Sequence, residues 1–183
     1  MIGQLPTILT VDSKEYKIKS DFRIALLIFE AMEDSELNDF EKSIVVLKCL
    51  YEEIPENKTE ALKQAYWFLD GGDMPKSKPQ SQKIIDWKQD ESIIFPALNK
   101  VAGREIRMLE YLHWWSFLGL FNEVGEGLFS TVMSIRNKKI KRKKLEKYEQ
   151  EFYRDNKNLI DLHNKYSAEQ QAEIDKINAI LGK

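Results

Sequence analysis

The spacing of hydrophobic positions changes early in this chain from a strand period to a helical one. Thr7-Ile8-Leu9-Thr10-Val11 and Glu15-Tyr16-Lys17-Ile18-Lys19 are rich in β-formers and flank the turn signal Asp12-Ser13-Lys14. They predict an opening β-hairpin with Tyr16 and Ile18 on one face. Two strands alone are marginal in water, so that face has to pack on helices or extend a sheet in a neighbouring subunit. From Ser20 onward the period is helical. Ser20 or Asp21 caps a helix carrying Phe22, Ala25, Leu26, Phe29 and Met32. Asn38, with Glu41 three residues on, has the pattern of a capping box and leads a helix with Phe40, Ile44, Leu47 and Tyr51 on one side, ending near Ile54-Pro55. A third helix over about 59–69 presents Leu62, Ala65, Tyr66 and Leu69 and stops at Gly71-Gly72, residues that readily turn left-handed.

Residues 73–83 hold two prolines, several lysines and serines and little to bury, and read as a linker. Beyond it Trp87, Ile94, Leu98 and Val101 share a helical face that ends at Gly103. If that helix begins near Asp86, Pro96 removes a hydrogen bond and clashes with the carbonyl of Ser92, so a kink or a late start is required. Met108 to Phe121 is apolar almost all round and predicts a central buried helix. Gly125 and Gly127 break the pattern, and a shorter helix follows with Leu128, Val132 and Ile135 inward. A polar helix then runs through Leu145, Tyr148, Phe152 and Leu159. The last segment, 167–181, has a cap signal at Ser167 and Gln170 and near-heptad Ile174, Ile177 and Leu181. The expected fold is mainly α: a helical domain with a small N-terminal β-hairpin and a polar C-terminal helical arm. Its parts are 1–72 (hairpin and acidic helices), 73–83 (linker), 84–136 (an aromatic helical half packing on the first) and 137–183 (basic segment and arm).

Composition narrows the class. The 183 residues are 43% hydrophobic, enough for a core without staples. The single cysteine, Cys49, lies in an apolar run with no His or basic group to activate it, and reads as core in a reducing cytosol. The start has neither a basic end nor an apolar stretch, and the longest apolar segment is too short for a membrane span, so a cytoplasmic location is expected. The net charge of -2 conceals segregation: 30–60 holds ten acidic residues and three Lys, whereas 136–147 holds eight basic residues and one Glu. Such asymmetry can orient a protein on a partner or on a copy of itself, by an attraction that salt screens.

Candidate chemistry is thin. Glu110 and His113 have the spacing used in di-iron bundles, but no second such pair exists, and the two read as a helix-face histidine with a polar partner. Asp70-Gly71-Gly72-Asp73 lacks calcium-loop spacing and reads as a helix stop. Asp86 and Asp90 are four apart with no nucleophile or phosphate cradle nearby, and read as helix-start acids. No catalytic residue, metal site or cofactor is assigned, and the expectation is a non-enzyme. Two binding features remain. One is the aromatic set Trp114, Trp115, Phe117 and Phe121, as packing or anchoring groups. The other is the basic run Arg136, Lys138, Lys139, Lys141, Arg142, Lys143 and Lys144, which suits either an acidic docking surface, in the same molecule or a neighbour, or, in a second reading, a nucleic-acid-binding regulator.

Three motifs carry a family resemblance: the hairpin followed at once by Ser20-Asp21-Phe22-Arg23, the helix entry Asp86-Trp87-Lys88-Gln89-Asp90, and Tyr111-Leu112-His113-Trp114-Trp115-Ser116-Phe117. Together they resemble a family of small tail-region proteins from long-tailed, siphovirus-type bacteriophages of Gram-positive hosts, across most of residues 1–150. Members are typically encoded between the major tail protein and the tape measure protein, where tail assembly chaperones are found. The resemblance therefore implies a tail morphogenesis protein that binds tape measure or tail tube subunits in the host cytoplasm and self-associates. It carries over no catalytic residue. Family members often have a basic stretch after the helix that follows the tryptophans, as here at 136–144.

Overall fold

The hairpin turn sets the register of everything N-terminal. In the computed structural model, which describes residues 3–73 and 83–163, Asp12 and Ser13 sit at φ 49° and 65°. These are the two left-handed positions that a tight hairpin loop needs, and Asp tolerates one of them better than most residues. The loop is therefore two residues long, and Lys14, expected in the turn, already belongs to the second strand. Strand β1 (Ile8–Val11) pairs antiparallel with β2 (Lys14–Lys17), Leu9 opposite Tyr16. Leu9, Val11, Tyr16 and Ile18 are buried. The hairpin packs on helices of its own chain, its Tyr16 ring edge-on to Tyr51 at 6.4 Å.

The first three helices follow the pattern closely. Helix α1 (Phe22–Met32) is capped by the Asp21 carboxylate, and α2 (Asp39–Leu50) by a reciprocal capping box of Asn38 and Glu41. Helix α3 (Lys58–Leu69) starts at Asn57, and Gly71 and Gly72 follow it at φ 73° and 94°. Of the stripe expected on α2, Leu47 and Tyr51 are buried and Ile44 half-buried, with Val46 and Leu50 buried beside them, while Phe40 is 73% exposed. Phe40 is in the first turn, beyond the reach of the neighbouring helices, whereas the C-terminal end is pulled in. There Lys19 donates to the Leu50 carbonyl at 2.8 Å and Glu52 to that of Lys17 at 3.1 Å.

The second half departs further. Asp86–Asp90 is a separate turn, with Asp90 N–H on the Asp86 carbonyl at 2.8 Å, and α4 (Glu91–Ala102) starts late, after it. Pro96 is accommodated inside α4 because both it and Ser92, whose carbonyl loses its donor, are on the exposed face. The expected single helix from Met108 to Phe121 is instead a 3₁₀ turn (Ile106–Met108), an extended stretch and α5 (Trp114–Asn122). Tertiary pairing overrides the periodicity here: Phe22 donates to the Leu112 carbonyl at 2.9 Å and Trp114 to that of Ser20 at 2.8 Å, so residues 112–114 spend their backbone groups on 20–22. On α6 (Leu128–Ile140) Val132 and Ile135 face inward as expected, joined by Phe129 and Arg136, while Leu128, expected inward, is half exposed. Two short helices, α7 (Lys147–Asp155) and α8 (Lys157–Ile160), close the described unit. One continuous core joins both halves, with Phe22 at 4.9 Å from Phe117 and 6.3 Å from Phe95. Most of the linker, and the stripe of Ile174, Ile177 and Leu181, lie outside the described residues.

Arg136 holds this half together. Its Nη1 and Nη2 donate to the two Asp90 oxygens at 2.6 and 2.8 Å. The other three N–H groups go to the carbonyls of Ile84 (2.8 Å), Leu159 (2.9 Å) and Ile160 (2.6 Å). All five guanidinium donors are thus used, with Arg136 3% and Asp90 0% exposed. Removing one partner strands a buried charge. Asp90→Ala should therefore cost about 3–5 kcal/mol of unfolding free energy, read from denaturant midpoints. Combining it with Arg136→Met should cost less than the two single changes summed, because the uncompensated charge is gone while three carbonyls still lack donors.

A second test concerns acid. Glu105 accepts from the side chain and the backbone N–H of Arg107, and also from Asn99. The Arg107 hydrogen bonds hold its carboxyl down at about 2, against an ordinary 4.5. A carboxylate lowered in the folded state stabilises fully above the ordinary value and loses that contribution as pH falls toward the lowered one. Between pH 4.5 and 2 the stability of Glu105→Gln should therefore fall less steeply than that of the parent, measured by urea unfolding at stepped pH.

Candidate functional site

The aromatic set lies where α5 crosses the end of α3, and its four members do different things. His113 caps α5, its Nδ1 accepting from Trp115 N–H at 3.0 Å while Nε2 lies 2.9 Å from the Pro6 carbonyl. That pair of bonds assigns the proton to Nε2 and leaves no nitrogen for a metal, so Glu110, exposed on the other side, has no counterpart in His113. The indole N–H of Trp114 donates to the Leu69 carbonyl and that of Trp115 to the Phe68 carbonyl, both at 2.8 Å. One tryptophan thereby satisfies a carbonyl of the kind every helix end leaves orphaned, Leu69, and the next adds a second donor to Phe68, whose carbonyl also accepts the Gly71 N–H at 3.2 Å. Phe117 is wholly buried, stacked on Phe22 and on Trp114 at 5.3 Å. Phe121 is partly exposed, with its ring 5.5 Å from both Trp87 and Phe129.

Trp114 and Phe117 are therefore core and not available as anchors. Trp115 and Phe121, with Trp87 and Leu118, line a surface groove of about 590 Å³ whose rim carries Asp70 and Asp73. A second groove of about 680 Å³ runs between α4 and the start of α6, lined by Ile93, Pro96, Ala97, Val101, Val124 and Phe129. It is mainly apolar, and Val101 and Leu128 stand exposed at its edge.

The basic run is split by the fold. Arg136 is buried on Asp90 and leaves the electrostatic surface altogether. The inward stripe of α6 contained the signal: Arg136 is four residues beyond Val132 and next to Ile135. Lys138 pairs with Glu149 at 2.7 Å, and its hydrogen bond holds that carboxyl below the usual range. Lys139 reaches Asp161 and lies 3.8 Å from the Tyr153 ring centroid. Lys141, Arg142, Lys143 and Lys144 follow the end of α6, exposed, with Arg142 at φ 53° and with no ion pair to a described residue. The acids that answer the run, Asp90, Glu149 and Asp161, all lie outside the acidic stretch 30–60, so the expected docking of one on the other does not occur within the molecule.

The three resemblance motifs meet in space. Asp21 pairs with His113 through backbone, its carboxylate accepts from Leu112 N–H at 3.0 Å, and Ser20 Oγ lies 2.7 Å from Tyr111 Oη. Arg23 crosses to the carbonyls of Arg107 and Leu109 at 3.0 and 2.6 Å. Trp87 of the remaining motif packs 6.1 Å from Phe117. Asp86 and Asp90 stand at the helix start as expected, Asp90 immediately before α4 and Asp86 accepting the N–H groups of Lys88 and Gln89 in the turn before it, and in addition they hold Lys83 and Arg136.

A close approach at the tryptophans gives a direct test. A Cβ on Gly72 would stand 2.9 Å from Trp115 Cη2, at a φ of 94° that disfavours any side chain. Gly72→Ala should cost about 1–3 kcal/mol. In a Trp115→Phe background, where the distant ring atoms are absent, only the backbone part of that penalty should remain in thermal or denaturant melts. Against known proteins, the family model described as Bacteriophage Gp15 protein matches residues 1–162, while no curated protein and no solved structure matches.

Proposed function

The chain belongs to the bacteriophage Gp15 protein family, and from that membership we propose that it is a non-enzymatic tail morphogenesis protein, a tail assembly chaperone that binds tape measure or tail tube subunits in the host cytoplasm. The observation that carries this reading is the family match over residues 1–162, taken with the resemblance of its three motifs to tail-region proteins. The surfaces left over once the fold is accounted for agree with it. A chaperone has to cover apolar surface on its client and later let go, and the α4–α6 groove offers a mainly apolar floor with exposed Val101 and Leu128 beside it. The four cations of 141–144 add an attraction that salt can tune. The His113 and Trp114 chemistry is consumed by helix capping, which suits a protein that binds without reacting.

The test is co-expression of the chain with the tail tube and tape measure proteins of the same phage. The complex is pulled down at low and high salt and sized by light scattering. Either protein should be recovered in a complex of defined mass, and Leu128→Glu, on an exposed position, should reduce capture by about tenfold or more. Recovery of neither, with bulk nucleic acid co-purifying and released by salt, would instead make Lys141 to Lys144 the contact of a nucleic-acid-binding regulator.

A further inference from the structure

We propose that the chain associates with a second copy of itself head to tail, the basic turn Lys141-Arg142-Lys143-Lys144 of one copy seating in the tryptophan-lined groove of the next. The two surfaces are complementary in charge and in chemistry. The groove presents the partly exposed faces of Trp87 and Trp115 beside Phe121, with the carboxylates of Asp70 and Asp73 at its rim and, among the described residues, no basic residue in its lining. Such a site favours a Lys or Arg side chain, whose methylene stem lies along the rings while its charged end reaches the acids. The turn supplies side chains of that kind. It follows the last helical residue, Ile140, the positive φ of Arg142 bends it away from the α6 axis, and its four cations are exposed and make no ion pair among the described residues.

The occupant comes from another copy because, among the described residues, the other cations of the run are already paired within the chain. Lys138, Lys139 and Arg136 are taken by Glu149, Asp161 and Asp90, and none of Lys141 to Lys144 lines the groove. Groove and turn share no residue, so each contact leaves one free groove and one free turn. The contact is heterologous, and growth stops only if the rotation between copies closes a ring. Exposed ionic contacts weaken as the screening length shortens, so the assembly dissolves with salt.

The experiment uses the full chain alone, without any tail protein, so its result is independent of whether the chaperone reading holds. Sedimentation velocity is run over a range of concentrations at about 0.05 M and about 0.5 M salt. The parent should grow in mass with concentration at low salt and return to monomer at high salt. One variant reverses the groove (Asp70→Lys with Asp73→Lys), and the other neutralises the turn, leaving two acids beside Arg142 and Lys144 (Lys141→Glu with Lys143→Glu). All four positions are exposed, and Lys at the end of α3 also suits the helix dipole. Each variant alone should lose self-association by about tenfold or more. Mixed in equal amounts they should give no more than a one-to-one pair, through the unaltered groove of one and the unaltered turn of the other. A monomer under every condition overturns the proposal. So does association that either variant leaves unchanged, or a mixture of the two variants that forms no one-to-one pair.

Discussion

A guanidinium removed from water needs an acceptor for each of its five donors, and Arg136 imposes that demand on three separate stretches of chain. The Asp90 carboxylate takes two, and the carbonyls at Ile84, Leu159 and Ile160 take the rest. Three consequences follow from one side chain. Residues arriving from the linker are tied down at Ile84, the turn before α4 is held by Asp90, and the chain after α8 is brought back to the core. Asp90 is itself positioned, because its Oδ2 accepts the Asp86 N–H at 3.0 Å while Asp86 caps the turn between them. The late start of α4 is thus a requirement of the pair: a helix beginning at Asp86 would give neither acid its present partners. A hydrophobic replacement of similar volume would satisfy packing and leave three carbonyls without donors, which favours keeping the charge at this point.

The aromatic node solves the same problem with neutral groups. Helix α3 ends at a double glycine, and its last carbonyls are answered by two indoles arriving from α5. That requires α5 to begin at Trp114, which in turn requires the extended pairing of 112–114 with 20–22. The first and third resemblance motifs are the two sides of that pairing, and the second contributes Trp87 to the same cluster and Asp90 to the buried pair. These signatures are constraints of the fold. They speak to family membership because a fold with this junction needs them, and for the same reason they do not mark a binding surface. Partner choice has to reside elsewhere, in the grooves and in the exposed end of the basic run.

This explains which features were legible in the sequence. The hairpin, the caps at Asp21 and Asn38 and the stop at Gly71-Gly72 are local: each is decided by residues within a few positions of one another, and each appears as expected. The break in the Met108 to Phe121 segment is not local. Its apolar residues favour a buried helix, and the backbone and side chains of residues 20–22, about ninety positions away, make the extended form better. Arg136 was misplaced for a related reason. Grouped with its charged neighbours it belongs to a basic face, whereas its spacing from Val132 puts it on the inward stripe, and the spacing decides once a carboxylate waits inside. The Asp86 and Asp90 pair had the right spacing for such a role, but the sequence does not say which of the chain's cations turns inward.

The fold therefore sorts one run of positive charge by its response to salt. Between 136 and 144 the first arginine is buried, the next two lysines are partly shielded by carboxylates, and the last four residues are exposed and without an ion pair among the described residues. Ions screen exposed charges over about 8 Å at physiological strength and reach a buried pair far less. Raising salt should leave the Arg136 and Asp90 clamp intact while weakening anything held by Lys141 to Lys144. The protein can in this way keep its folded state independent of ionic conditions while its external contacts remain reversible, because the charges that fold it and the charges that are left to bind are different members of the same run.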